Sequence, residues 1–312
     1  MASAFTSAPV GGRPVAKLTD TNRKAGGSYR VQAARRATRI VVVAAQGAGR
    51  GVSESPPIPL AEWKYNPRAR PDLRLGPRHP NPILRGNFGP VLEEVDSRPE
   101  VVAGAIPEGF PDGTYIRNGP NPYYEPLNTA SGIGGESLHH WFEGDGMLHG
   151  VRFEGGECTS YKNRFVATEA LAEERAKGKS LWRPIIDADK FAILFNLVSN
   201  MVRHSGGPTK HAANTALIQH AGKLLALAEG GPPYEVTADL GTVGPVSFPG
   251  IDPRSPFTAH PKVDRVTGEL FWIAPSAGAE PFVSFGRLGK RGELLHYGPV
   301  EGFDQGTLMH DF

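Results

Sequence analysis

Glycine-containing turns separate short apolar segments along most of this 312-residue chain. Residues 147–153 alternate apolar and polar side chains, and residues 154–157 (EGGE) turn the chain back into residues 158–165. Alternation followed by a tight return predicts a β-hairpin. The 39 glycines and 29 prolines are nearly twice the usual share, which disfavours a helical bundle. Together these features predict an all-β fold built as a sandwich, a barrel or a propeller.

The same pattern recurs in the second half of the chain. It is found in residues 216–227 around Ala221-Gly222, in residues 270–274 after Gly268, and in residues 283–287, which can pair with residues 293–297. Hairpins at recurring spacing are typical of repeated antiparallel units.

Two helices are predicted to interrupt the strands. Thr168 is placed to cap residues 169–177, and Gly178 is placed to end them. Residues 187–203 carry an apolar face that is wider than packing on one sheet requires. Two interpretations stay open: a helix packed over the sheet, or a segment that dips into a lipid surface. The second would use Phe191, Leu194 and Phe195.

The N-terminal region differs from the rest in composition. Residues 1–50 hold nine Lys or Arg and a single acid, and they end in a short apolar run, residues 40–45. An acid-poor, Arg- and Ser-rich start predicts a disordered transit peptide for plastid import, with an ordinary basic tail as the alternative. Residues 51–82 contain eight prolines and predict an extended arm. The folded domain is expected over residues 83–312.

Charge and cysteine content exclude several classes of function. Residues 51–312 hold 25 basic and 31 acidic side chains, so binding of nucleic acid by counterion release is not expected. The single Cys158 rules out an intramolecular disulfide. The chain has no Gly-x-Ser-x-Gly motif, and Cys158 lies in the middle of a predicted strand, so no nucleophile for covalent catalysis is predicted.

The ten histidines fall into two groups of interest. His139, His140 and His149 are close in sequence, but ring stacking and capping around the turn at residues 143–146 explain them as well as a metal does. His260 and His310 are 50 residues apart, which is about one propeller blade. Single histidines at blade intervals can converge on the axis of a propeller and there bind one metal ion. Spacing alone is a weak signal for this.

Six separated motifs resemble those of the carotenoid cleavage dioxygenase family. Residues 140–151 follow its pattern except that Glu143 stands where Asp is usual. The motifs lie at residues 107–122 (PEGFPDGTYIRNGPNP), 140–151 (HWFEGDGMLHGV), 214–217 (NTAL), 224–231 (LLALAEGG), 258–264 (TAHPKVD) and 309–312 (MHDF). The likeness covers residues 83–312 in the family's order.

The resemblance implies a seven-bladed β-propeller with a cap of helices and loops. It also implies an Fe(II) ion held on the axis by four histidines, three of them braced by glutamates. His260 matches the first ligand, His310 matches the second, and Glu229 matches the glutamate that supports the second. The remaining histidines and glutamates belong to the part of the family pattern after Phe312. We therefore expect a C-terminally truncated domain, inactive by itself.

The implied reaction splits a conjugated C=C bond of a carotenoid or apocarotenoid into two carbonyl products with O2. A stilbene-type or short apocarotenoid substrate is the alternative within the family, and a non-catalytic propeller fragment is the alternative outside it. The expected location is the chloroplast, in the stroma or peripheral to thylakoids or plastoglobules.

Overall fold

The computed structural model describes residues 3–6, 59, 62, 68, 78–127, 137–204, 208–252, 255–276, 278–306 and 309–312. Strands and short turns dominate, and every strand pairing in these residues is antiparallel. None of the described helices has both the length and the apolar composition needed to cross a bilayer.

The strands form four sheets. In chain order they are Ser3–Thr6 (β1), Asp96–Ser97 (β2), Gly113–Pro120 (β3), Ser137–Leu138 (β4), Gly146–Glu154 (β5), Glu157–Phe165 (β6), Asp187–Ala188 (β7), Ala216–His220 (β8), Lys223–Leu227 (β9), Tyr234–Val236 (β10), Thr242–Pro245 (β11), Lys262–Val263 (β12), Leu270–Pro275 (β13), Val283–Leu288 (β14) and Leu294–Pro299 (β15). The strand orders are β1-β3-β5-β6-β2, β11-β10-β9-β8, β12-β13-β14-β15 and β4-β7.

The predicted hairpins are confirmed. β5 pairs with β6 around Gly155 and Gly156, whose φ angles of 59° and 78° favour glycine. β8 pairs with β9 around Gly222, β14 pairs with β15, and the strand predicted at residues 270–274 is β13. Local turn chemistry therefore defines most of the strand order.

The three larger sheets pack face to face. Strand β9 (KLLAL) does not alternate, because it is buried on both sides. Leu224 and Ala226 join the core shared with the first sheet, and Leu225 and Leu227 join the core shared with the third. Consecutive antiparallel sheets of four or five strands stacked in this way match the arrangement of propeller blades. The described residues close no complete ring.

The first predicted helix is confirmed as Glu169–Lys177 (α1). The hydroxyl of Thr168 accepts the N–H of Leu171 at 3.2 Å, and Gly178 ends the helix with a φ of 63°. The second helix is Lys190–Arg203 (α2), so the prediction of a start at residue 187 is wrong. Asp187 belongs to β7, which pairs with β4, and Asp189 caps the helix.

Helix α2 turns a polar stripe inward and its apolar stripe outward. Ala192, Asn196 and Asn200 form the buried side, and the amide of Asn196 donates to the carbonyl of Pro184 at 2.7 Å. Phe191 is 82% exposed and Leu194 is 67% exposed. The interpretation that the apolar face packs over the sheet is therefore wrong for these side chains.

The N-terminal segments are described only in part. Residues 3–6, inside the predicted transit peptide, form β1 at the edge of the first sheet. At the end of the predicted arm, His79 and Asn81 are buried, and Asn81 caps a 3-10 turn at Pro82–Leu84. The rest of residues 1–77, apart from single positions, lies outside the described residues, and the transit peptide and extended arm stay predictions.

Candidate metal centre

Three segments that are far apart in the chain meet at one place. Glu229 follows the end of β9 by two residues, His260 precedes the start of β12 by two residues, and His310 lies in the last described segment. An isolated antiparallel bridge between Gly231 and Phe257 joins the first two segments. The end of β9 and the start of β12, in neighbouring sheets, place Glu229 and His260 together, and the described segment 309–312 brings His310 to them.

The three side chains are close enough to share one ion. The Oε1 atom of Glu229 lies 2.9 Å from the Nδ1 atom of His310. The ring centroids of His260 and His310 are 4.5 Å apart, with the rings at 74° to each other. One ligand atom from each residue can be chosen so that all lie within 4.8 Å of one another. Among the described residues, this is the one group of three or more potential ligands with such spacing.

The electrostatic setting favours the neutral form of His260. Partial burial, together with His310, lowers the pKa of His260. Partial burial raises the pKa of Glu229, although His310 and the N–H of Ala259 oppose this rise. A neutral imidazole has the free lone pair that a metal requires, so the charge state suits ligation.

The donor set fits an iron(II) ion. Imidazole nitrogens are common ligands of Fe(II). A carboxylate that accepts the outer N–H of a ligating histidine fixes the tautomer of that ring. The contact of Glu229 with Nδ1 of His310 has this form, and with it Nε2 of His310 would be the ring nitrogen available to a metal ion.

Two contacts near the site were not predicted from the sequence. The hydroxyl of Thr258 accepts the N–H of His260 at 3.2 Å and donates to the carbonyl of His310 at 3.4 Å. Lys262 pairs with Asp311. Both links join residues about fifty positions apart, and no local pattern reveals such a pair. The one available signal is that each residue lies within two positions of a candidate ligand.

The histidines that are close in sequence, His139, His140 and His149, have other surroundings and partners. Burial lowers the pKa of His139 to about 3. The Nδ1 atom of His140 accepts the N–H of Phe142, which caps a 3-10 turn, and Nδ1 of His149 lies 2.8 Å from the hydroxyl of Tyr161. The prediction that stacking and capping explain this group agrees with these contacts.

The turn at residues 143–146 is held by backbone and ion-pair contacts. The carboxylate of Glu143 accepts the N–H groups of His140, Ile185 and Ile186. Asp145 is buried and pairs with Lys210 at 2.6 Å. These carboxylates therefore organise the loop that leads into β5.

Relatives of known activity match most of the described domain. The sequence model of the RPE65 family (retinal pigment epithelial membrane protein) matches residues 88–312. Carotenoid 9,10(9',10')-cleavage dioxygenase 1 of Phaseolus vulgaris is 37% identical over 248 residues, which cover 75% of this chain and 42% of that protein. Probable carotenoid cleavage dioxygenase 4, chloroplastic, of Arabidopsis thaliana is 30% identical over 265 residues, 79% and 40% of the two chains.

Solved structures of related oxygenases are also similar to this chain. The lignostilbene dioxygenase of Pseudomonas brassicacearum has a TM-score of 0.58 and 29% identity, with coverage of 74% of this chain and 45% of that chain. Cobalt-substituted apocarotenoid oxygenase of Synechocystis has a TM-score of 0.53 and 28% identity, with coverage of 72% and 45%.

These matches confirm the predicted family and the propeller fold. This chain spans about two fifths of the length of the curated relatives it matches. The match to residues 88–312 is more than half of the chain, and the chain belongs to the RPE65 family, the family of the carotenoid cleavage dioxygenases.

Proposed function

We propose that this chain forms part of an Fe(II)-dependent dioxygenase that cleaves a conjugated C=C bond of a carotenoid or apocarotenoid. The observation that carries the proposal is the convergence of His260, His310 and Glu229, with Nδ1 of His310 held at 2.9 Å by the carboxylate. The names of the relatives support the substrate class. The cobalt-substituted relative supports a metal in this family.

Each residue of the site has a distinct part in this proposal. His260 and His310 would hold the iron through neutral imidazoles, and Glu229 would keep the proton of His310 on Nδ1. Bound iron would supply the O2-activating chemistry that converts the C=C bond into two carbonyl groups. Because both product oxygens would come from O2, the side chains need not supply a proton or a nucleophile.

Apolar surroundings beside the site favour a polyene substrate. Met309 and Phe312, on either side of His310, line a mostly apolar cavity of about 510 Å³, whose walls include Ile273, Val283 and Phe285 and also His296 and Glu301. Cavities of a few hundred cubic ångströms with apolar walls are typical of binding sites for small apolar molecules. A long hydrocarbon chain would bind the apolar part of these walls.

A stilbene is the second candidate substrate. The observation that favours it is the likeness to the lignostilbene dioxygenase, at 29% identity. A stilbene also offers a conjugated C=C bond between apolar groups, so the same two histidines could serve it. Product analysis distinguishes the two classes.

The direct test incubates the full-length protein with Fe(II), 18O2 and, in separate assays, a carotenoid, an apocarotenal and a stilbene. We expect two carbonyl products from a polyene, each carrying 18O. The control is the His260→Ala variant, which should give no product. Absence of new carbonyl products from every substrate would contradict the proposal, and cleavage of the stilbene alone would favour the second candidate.

We further propose that α2 docks on a lipid surface, where an insoluble polyene would be found. Its outward face carries Phe191, Leu194 and Phe195, and an exposed apolar stripe on a helix suits the interface of a bilayer. Exposed Lys190 and Arg203 lie at the two ends of the helix and suit anionic headgroups. The polar inward face has partners in the fold, and on the outward face the guanidinium of Arg183 lies 5.4 Å from the ring centroid of Phe195.

The docking test replaces Phe191, Leu194 and Phe195 with glutamine and measures sedimentation with anionic liposomes. We expect the variant to leave the liposomes while keeping its circular dichroism and melting temperature. The matched control replaces three exposed apolar residues outside α2 with glutamine. These residues are Val243, Val266 and Leu295, and the control should keep wild-type partitioning. Unchanged partitioning of the α2 variant, or loss of its fold, would contradict the docking.

We also propose a plastid location, in the stroma or at the surface of thylakoids or plastoglobules. The arginine-rich, acid-poor composition of residues 1–50 and the chloroplastic relative support it. Residues 1–50 fused to a fluorescent protein should direct it to plastids. Cytosolic fluorescence would contradict this location.

A further inference from the structure

Thr258 is a fully buried polar residue between the two candidate ligands. Its backbone N–H donates to the carbonyl of Ile273 in β13, at 3.1 Å, so the residue is anchored to the third sheet. Its hydroxyl accepts the N–H of His260 at 3.2 Å and donates to the carbonyl of His310 at 3.4 Å. One side chain thus touches the backbone of both histidines, which are fifty residues apart.

We infer that Thr258 is a positioning residue that sets the separation of His260 and His310. Among the described residues, the segment that carries His310 is also linked by the exposed pair Lys262–Asp311, by Lys262 over the ring of Phe312, and by the contacts of His310 with Glu229 and with the ring of His260. All of these contacts act through side chains, and the exposed ion pair Lys262–Asp311 contributes little to stability. A buried hydroxyl shared by two backbone groups holds both segments in one register, since buried polar groups are costly to leave unpaired.

The role depends on the hydroxyl and not on the shape of the side chain. Valine keeps nearly the same volume but carries a methyl group in place of the oxygen, so both backbone partners lose their bond. Serine keeps the oxygen and omits the methyl group. The pair of variants therefore separates hydrogen bonding from packing. For its metal readout the inference rests on the function proposed above, but the geometry of the two rings can be measured without metal.

The experiment compares Thr258→Val with Thr258→Ser in the full-length protein. The matched control is Thr168→Val, which removes another buried threonine hydroxyl that accepts a backbone N–H, at 3.2 Å, at the start of α1. The first readout is the nuclear Overhauser contact between the selectively labelled rings of His260 and His310 in the metal-free protein. The second is the affinity for Co(II), followed by its visible absorption.

We expect Thr258→Val to lose the ring contact and to bind Co(II) about 10-fold or more weakly, as removal of outer partners of metal ligands usually does. Thr258→Ser should keep both properties, and Thr168→Val should keep both despite a lower melting temperature. Wild-type ring contact and affinity in Thr258→Val would overturn the inference, as would equal losses in Thr168→Val. If the wild type binds no Co(II), the proposed function fails, and the ring contact alone decides the role of Thr258.

Discussion

Two groups of histidines differ in how the fold uses them. His139, His140 and His149 are neighbours in the sequence, yet each ring has a separate environment or partner. His260 and His310 are fifty residues apart, yet their ring centroids lie within 4.5 Å. Successive residues of a strand point to opposite faces, whereas the ends of strands in neighbouring sheets can meet. Closeness in sequence is thus a poor guide to a metal site in a β-fold.

The groups also differ in solvent access. His310 is exposed and His139 is buried, whereas His140, His149 and His260 are half-buried. Burial holds His139 and His149 in the neutral form, with pKa values of about 3 and about 4. The proposed metal site uses His260 and His310, whereas His139, His140 and His149 make contacts within the fold.

The largest expected difference is in metal binding. His260→Ala and His310→Ala should each lower the affinity for Fe(II) by about 100-fold or more, because each removes a ligand. Both should abolish O2-dependent cleavage by the full-length protein. His149→Ala removes a histidine outside the proposed metal site, and this variant should keep most of the iron and activity. Loss of metal on changing His149 alone would break the comparison.

Glu229→Gln tests the carboxylate behind His310. The amide keeps the shape but removes the negative charge that holds the proton on Nδ1 of His310. We expect a loss of metal affinity of about 10- to 100-fold, smaller than removal of a ligand. Titration with Co(II) measures it. Glu235→Gln is the control, since Glu235 pairs with Lys223 on the second sheet. Equal affinity of both variants for Co(II) would show that Glu229 has no part in metal binding.

The buried histidines should make stability depend on pH. The pKa of His139 falls from 6.5 to about 3 and that of His149 to about 4 on folding, so the unfolded chain binds more protons. Their contribution to the free energy of unfolding is complete above pH 6.5. It is lost as the pH falls towards 4 for His149 and towards 3 for His139. Each group contributes a slope of up to about 1.4 kcal/mol per pH unit in the free energy of unfolding. His149→Gln should make the slope between pH 6.5 and 4 shallower in urea denaturation, and an unchanged slope would contradict this.

The smallest expected effect concerns His140. His140→Ala removes the cap of the 3-10 turn at Trp141–Glu143 and should cost about 1 kcal/mol of stability. Metal affinity should not change. Thermal unfolding measures the first quantity and Co(II) titration the second. A weaker affinity would mean that the two groups of histidines are coupled.

Local chemistry explains what could be predicted of the fold. Gly155 and Gly156 adopt the positive φ angles that a tight hairpin needs, and Thr168 and Gly178 bound α1. The start of α2 could not be predicted, because Asp187 pairs with Leu138, which is about fifty residues away. The buried side of α2 could not be predicted either, because the amide of Asn196 faces inward to donate to the carbonyl of Pro184.

The site was predictable only through the family motifs. A spacing of 50 residues between His260 and His310 is by itself a weak indication of a metal site. The family motif around each histidine made the prediction specific. The structure brings both together with Glu229, as the resemblance implies. Thr258 is the first residue of the motif at residues 258–264, but its role could not be predicted from that motif, because a hydroxyl that bridges two distant backbone groups leaves no periodic pattern.

Anomalous diffraction at the cobalt edge, from crystals of the full-length protein grown with Co(II), tests the metal site most directly. The account predicts one strong peak per chain within bonding distance of a nitrogen of His260 and of Nε2 of His310. Glu229 should remain on Nδ1 of His310 and off the ion. A main peak at His139, His140 or His149, or no peak near His260 and His310, would contradict the account.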